Sequence, residues 1–483
     1  MLALLAISAT FFACNITDDG DGATDAVTDV QGVNDPVPRL DWGGRPFRVL
    51  TTNNAVQPNF EVVGEVGADR LSQAVYERNI AVQEYCNVEI IDVSGDNDDN
   101  FEAIENDFMA GTKNYDLVFL LRNEMSSAIQ RGFMKDLTKV EYINLENEWY
   151  NPITIESMKV SDRLYHMSSS FSLTDKARTA TLYINRDMAT ELNLGVDVVE
   201  EVRAGTWTIE KMQQMVTKVA ESGDTNNDGK VQNTDNFGIA GGGEECVTAF
   251  YTALGNSFVD LEAANGDFGA KIIDDRSLNG LDAIKAMFDV HSWAGFTGGE
   301  AKLWKKNENL PADSFIHERT LFYSGTMSVL DDFAANADFA YTAITFPKYD
   351  TDQDRYYTTN DNHFTSTFAI PYMAHDVNFS GYMIEVLSWK SHTTTYPEYY
   401  QVKCLVQKSY DPVCAEMLQL NYEGLVFDFG LIFSNTVKYK AAIVKYTTQS
   451  SNTKGMTTLY AETKGPDNLA IQGIIDAIED LPE

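Results

Sequence analysis

Short apolar runs alternate along the chain with longer stretches in which apolar residues recur every three or four positions. In residues 46–51, Phe47 and Val49 alternate with polar neighbours, which predicts a strand. Leu71, Ala74, Val75, Val82 and Tyr85 share one helical face, and a second strand follows at 88–93. Phe101, Ile104, Phe108 and Met109 form the next helical face, which ends near Gly111. Residues 115–121 are then continuously apolar after Asp116, the pattern of a strand buried on both faces. Strand, helix, strand, helix, strand at these lengths predicts an α/β layer with a mainly parallel sheet. Ligands of such sheets sit beyond the carboxyl ends of the strands. Asn53 and Asn54 after the first strand, and Arg122 and Asn123 after the third, are therefore candidate ligand contacts. The same residue types also cap turns and helices.

The middle of the chain turns on residues 164–207. A hydroxyl-rich piece with Ser168, Ser169 and Ser170 leads into the β-leaning run Thr179, Thr181, Leu182, Tyr183 and Ile184, which ends at Asn185-Arg186-Asp187. Gly205-Thr206-Trp207 precedes a helix start at Thr208, with Ile209, Met212, Met215, Val216 and Val219 on one face. Gly241-Gly242-Gly243 lacks the spacing of a phosphate loop and is expected to be a flexible turn. A helix begins at Phe250-Tyr251. Leu281, Ile284 and Phe288 make another helical face, ended by Trp293. Residues 341–347 and 363–370 are expected strands, and 382–389 a helix. Tyr396-Pro397 marks an expected break, and Ile471, Ile474, Ile475 and Ile478 form a core-packing stripe.

The 483 residues suffice for two or three domains. Lys and Arg total 36 against 72 for Asp and Glu, a formal charge of -36, which makes nucleic acid and anionic lipid poor partners. None of the five cysteines (Cys14, Cys86, Cys246, Cys404, Cys414) forms a C-x-x-C pair, which argues against a zinc knuckle. Cys404 and Cys414 could pair in an exported chain, but buried free thiols are the expectation. Residues 2–13 are apolar yet shorter than the roughly 20 residues that span a bilayer. They fit the core of a secretion signal cut before Cys14. Residues 15–38 carry six aspartates among glycines without apolar periodicity, the composition of a flexible tether.

Asp224, Asn226, Asp228, Lys230, Gln232 and Asp235 stand at positions 1, 3, 5, 7, 9 and 12 of a calcium-loop pattern, with Gly229 at position 6. Side-chain oxygens at 1, 3, 5 and 12 and the carbonyl of Lys230 would surround one Ca2+ at ~2.4 Å. Asp235 departs from the glutamate usual at the last position. Such a site would be structural; an Asn/Asp-rich turn without metal is the alternative.

Taken together, the apolar strand ending in Asn185-Arg186-Asp187, the Thr206-Trp207 helix start and the segment 322–333 resemble the extracellular solute-binding proteins of bacterial ABC importers, the carbohydrate-type group. The resemblance implies a two-lobed periplasmic-binding-protein-like α/β fold of type II, each lobe a mixed, mainly parallel sheet flanked by helices and joined by crossing strands. It places residues 1–13 as signal peptide, 14–45 as lipidated acidic tether, 46–172 with 360–410 as the first lobe, and 173–359 with 411–483 as the second. Ala13-Cys14 resembles a lipobox, with Cys14 the lipid-bearing residue. Phe11 stands where that pattern usually has Leu, and no basic residue precedes the apolar core. Asp331 and Asp332 occupy a place that often meets the ligand, Ser169 and Ser170 at the passage between lobes join the candidates, and Trp304 is the preferred stacking plate over Trp207, which is expected in the core. A sugar needs such aromatic plates with Asp, Asn, Arg and backbone groups at its edges.

None of the six histidines falls in an H-E-x-x-H pattern, and neither a G-x-S-x-G elbow nor a Walker loop occurs. The expected function is capture of a small solute, a sugar or oligosaccharide, by a monomer lipid-anchored at the outer face of a Gram-positive membrane and serving permease subunits. A secreted glycoside-acting enzyme and an anchored structural surface protein are the alternatives.

Overall fold

The computed structural model describes residues 35–51, 61–94, 100–228, 234–263, 265–288, 293–296, 310–360, 364–405, 412–449 and 452–482. Asn53, Asn54, Trp304, Lys230, Gln232 and Cys14 lie outside the described residues.

Among the described residues, nine strands form two sheets. The first contains β1 (Arg45–Leu50), β2 (Val88–Asp92), β3 (Leu117–Leu121) and β9 (Ser366–Ala369), in the order β2-β1-β3-β9. β4 (Ala180–Asn185), β5 (Phe237–Gly242), β6 (Trp293–Phe296), β7 (Thr320–Thr326) and β8 (Tyr341–Ile344) make the second, in the order β6-β5-β7-β4-β8. The two share a plan. In each, the first three strands of the local unit run parallel in the order second-first-third, and the next strand is antiparallel and arrives from the other body. That exchange, β4 entering one sheet and β9 returning to the other, is the type II arrangement of crossing strands.

Local chemistry explains the elements. Asp69 caps the helix Arg70–Cys86 by accepting from Leu71 N and Ser72 N, and Asn87 ends it in the left-handed region at φ 49°. Asn185 closes β4 and caps the next helix by accepting from Met188 N at 2.9 Å, while Asp187 accepts from Ala340 N at 2.9 Å. The Asn-Arg-Asp signature is thus a strand-to-helix corner. Trp207 is fully buried, with its indole N–H donating to Thr345 O at 3.1 Å. In the first body Phe47 meets Phe379 edge-on at 5.7 Å, and Phe119 packs on Phe368 at 5.5 Å.

Several elements differ from expectation. Met109 is 76% exposed, because the helix Asn100–Ala110 buries Ile104 instead and turns Met109 outward. Tyr396-Pro397 does not break the chain: the helix Thr395–Leu405 holds Pro397 in its first turn, where no intrahelical N–H is required. The three glycines are not a flexible turn. Gly241 and Gly242 end β5, and Gly243 starts the helix Gly243–Ala253. A Cβ on Gly241 would stand 2.8 Å from Ser324 O, so close approach of β5 to β7 requires glycine there. The final helix Met456–Glu479 touches both bodies: Tyr460 bonds Asp267, while Ile478 O and Leu481 O accept from Arg163. Cys86, Cys246 and Cys414 are buried, and Cys86 and Cys246 are free thiols.

Candidate functional site

The carboxyl ends of the parallel strands define one wall in each body, and two crossing segments lie side by side between them. Ala180 N donates to Thr359 O at 2.8 Å, Thr358 Oγ1 donates to Ala180 O at 2.8 Å, and Thr179 bridges Asn360. A third stretch supports this floor from outside, since Val426 N donates to Thr358 O and Thr358 N to Gly424 O, each at 2.9 Å. Beneath the first crossing lies a buried ionic cluster. Lys176 Nζ donates to Ser169 O at 2.9 Å and sits 3.4 Å from Asp175 Oδ1, and Tyr422 OH donates to Asp175 Oδ2 at 3.0 Å. Asn360 Nδ2 donates to Asp175 O at 2.9 Å, so the second crossing is tied to the same cluster.

On the wall of the second body, a cavity of about 200 Å³ is enclosed by Gly242 and Glu245 after β5, Ser324 and Thr326 on β7, and Thr359 and Asn360 on the floor. Gly242 lines this wall, with the Glu245 carboxylate 2.6 Å from where a Cβ on it would stand. Two residues before Ala180, which lines the cavity, Arg178 stands 5.3 Å from the ring centre of Phe364, which is 40% exposed. An exposed aromatic face next to a guanidinium, with carboxylate and hydroxyl groups on the adjoining wall, matches the mixed apolar and hydroxyl surface of a sugar.

On the wall of the first body, Asn123 is exposed and lines a groove of about 1160 Å³ along the helix Asn100–Ala110, with Asn100, Asn106 and Tyr115, and with Asn435 from the C-terminal segment. This groove is larger, but its walls belong almost entirely to one body. The smaller cavity is built from the second wall and the crossing floor, and it is the better candidate site.

The sequence-predicted residues separate accordingly. Arg122 is buried. Its N–H donates to Thr365 O at 3.1 Å, and its guanidinium lies 5.4 Å from the Phe427 ring, where it joins body to crossing rather than presenting itself to solvent. That cation adds to burial in pushing the His166 pKa down to about 3, and it opposes the burial that raises Asp428 to about 6. Ser169 and Ser170 lie in the packed interior, bonded to Ser388 Oγ at 2.7 Å and His392 Nδ1 at 2.9 Å, because the hydroxyl-rich piece runs beneath the helix Val377–Thr393. Asp331 and Asp332 are exposed in the first turn of the helix Leu330–Asn336, and the Asp332 charge contributes to the raised pKa of Tyr323 on the cavity wall. Sequence reasoning missed Arg178, Phe364, Glu245 and Ser324. Their signal was position: each lies within two residues of a predicted strand end or of the glycine run.

In the calcium-loop pattern, Asp224 Oδ1 and Asn226 Oδ1 both accept from Asp228 N, at 3.2 and 3.0 Å, so the oxygens of positions 1 and 3 converge. Asp235 is fully buried. Among the described residues no group of three or more His, Cys, Asp or Glu side chains comes together as a metal site.

In comparisons with known proteins, no family model and no curated protein matches the sequence. Solved structures do match. The sugar-binding protein MalE from Xanthomonas citri aligns at TM-score 0.58 and 10% identity, over 90% of this chain and 99% of that one. The maltose-binding periplasmic protein MalE from Listeria monocytogenes, in complex with maltose, aligns at 0.55 and 12%, over 91% and 99%. A cyclo/maltodextrin-binding protein complexed with maltotetraose aligns at 0.54 and 11%, over 90% and 97%. This is the two-lobed periplasmic-binding-protein fold. Within that fold the walls and crossing floor described above are the two lobes and their hinge, and the cavity of Glu245, Ser324 and Asn360 lies where lobe and hinge meet.

Proposed function

We propose that the protein is the solute-binding component of an ABC importer, a binding protein rather than an enzyme, and that it captures a carbohydrate between its lobes for delivery to permease subunits. One observation carries this reading: a cavity of Glu245, Ser324, Thr326, Thr359 and Asn360 is built jointly by the second lobe and the hinge, whose segments also carry the Arg178–Phe364 pair. Likeness in fold to proteins solved in complex with maltose and with maltotetraose supports the sugar class. Closure about the hinge would bury the solute, and the closed form is what a permease reads. A thermal-shift panel of mono- and oligosaccharides, amino acids and peptides tests it. A matching sugar at 100 times its Kd adds about 2.7 kcal/mol of stability. A panel in which only amino acids or peptides shift the transition refutes the carbohydrate assignment.

Export and lipidation at Cys14 complete the proposal, with the acidic tether holding a monomeric body off the outer face of the membrane. Among the described residues no helix is long and apolar enough to cross a membrane. Asp224, Asn226, Asp228 and Asp235 would hold a structural Ca2+, which would pin the loop between the helix Ile209–Glu221 and β5.

A further inference from the structure

A second cavity, of about 350 Å³, shares no lining residue with the hinge cavity or the groove along the helix Asn100–Ala110. Its size lies at the lower end of the ~300–1,000 Å³ typical of small-molecule sites. One side belongs to the first lobe. Trp149 and Tyr150 are buried there, and His392 stacks on Tyr396 with centroids 5.6 Å apart. The other side is the helix Pro412–Glu423, with Tyr422 and Glu423, and this helix is fastened to the second sheet by Asn421 Nδ2 donating to Ile344 O at 3.1 Å. Asn151 Nδ2 closes the seam by donating to Tyr422 O at 2.9 Å and Glu423 O at 3.3 Å.

The lining is aromatic within and acidic at the mouth. Glu148 and Glu423 are exposed, and each is near enough to an inner ring to act on its titration, Glu148 on His392 and Glu423 on Tyr396. Burial and the nearby Lys176 lower the His392 pKa, so that ring is neutral at pH 7. Lys176 itself is fully buried behind the rings of Tyr396 and Tyr422, matched by Asp175, and does not line the cavity. Aromatic faces with carboxylates at the rim attract a cation whose charge is spread over alkyl groups, since ring faces and acids both favour positive charge.

We propose that this interlobe seam is a binding site for a small organic cation of the alkylammonium class. An occupant would touch both lobes, so its binding would be linked to their relative position. The proposal is independent of the sugar assignment.

Isothermal titration of the full chain with choline, and with its neutral carbon analogue 3,3-dimethyl-1-butanol, tests it, alongside the variant E148Q/E423Q. Both substitutions are at exposed positions, and a circular dichroism melt checks that the variant folds. Choline is expected to bind, the neutral analogue to bind at least tenfold more weakly, and the variant to lose at least tenfold in choline affinity. No choline binding up to ~10 mM, a concentration that would fill most of a millimolar site, overturns the proposal. Equal binding of choline and its neutral analogue overturns the cation assignment, and undiminished choline binding by the folded variant overturns the location.

Discussion

Lys176 gives the sharpest test of what holds the hinge together. It is fully buried, and its ammonium donates to the carbonyls of Ser169 and Ser172, meets Asp175 and Tyr422 OH, and faces the rings of Tyr396 and Tyr422. Glu61 and Arg78 are the other charged groups of the cluster. Arg78 donates to Glu61 O and to Ser391 Oγ, and Glu61 accepts from Thr174. Two acids and two bases therefore balance. Replacing Lys176 with Met keeps the volume and removes one cation, leaving Asp175 buried with the Tyr422 hydroxyl but without its ammonium. Removing one partner of a buried pair costs about 3–5 kcal/mol. In urea unfolding followed by far-UV circular dichroism, Lys176→Met should lower the midpoint by that amount divided by an unchanged m-value. The double variant D175N/K176M should recover a kcal/mol or more of the loss, because the stranded charge is gone while the amide can still accept from Tyr422. A loss below ~1 kcal/mol, the scale of a solvent-exposed pair, would refute the reasoning. So would a double variant no more stable than Lys176→Met.

Other expectations follow from the same geometry. Asp428 accepts from Phe258 N at 2.9 Å and Gly430 N at 2.7 Å, and burial raises its pKa from 3.8 to about 6. A carboxyl raised on folding takes up protons in the folded state, so its contribution is present below pH 4 and is lost as pH rises through 6. Relative to Asp428→Asn, the wild type should therefore gain about 2 kcal/mol between pH 7 and 4, and parallel stability profiles for the two proteins would count against this account. Gly241→Ala should destabilise by about 1–3 kcal/mol, since backbone is in the way at 2.8 Å, whereas Gly242→Ala should be much milder because only the movable Glu245 carboxylate lies at 2.6 Å. Equal melting temperatures for the two glycine variants would contradict that difference. Phe364→Ala should weaken binding of the sugar identified in the panel by roughly tenfold while leaving the melt of the unliganded protein unchanged, and unaltered affinity by calorimetry would remove Phe364 from the site. Rigorous chelation should lower the melting temperature and calcium restore it, whereas an unmoved transition would leave Asp224 and Asp235 as turn residues. Mass spectrometry of the native N-terminus decides whether Cys14 carries lipid.

The sequence by itself determined the α/β class. The continuous apolar run 117–121, set between two helical patterns, fits a strand covered on both faces, and the three-to-four periodicity of Ile209, Met212, Met215, Val216 and Val219 buries one side of a helix. Both are local properties of neighbouring side chains. It also located Trp207 in the core and the corner at Asn185, because burial of an indole and capping by an amide act within a few residues. Tertiary structure alone decided which polar residues meet. Arg122 stands at a strand end as expected, yet it is drawn inward by Phe427, some three hundred positions away. Ser169 and Ser170 look like ligand contacts until the helix Val377–Thr393 covers them. Arg178 and Phe364 become a pair only because the chain crosses between lobes twice, at places where those crossings hydrogen-bond side by side. Side-chain patterning acts through adjacent positions and fixes elements. A binding surface depends on the register of segments far apart in the chain, which no single window of sequence contains.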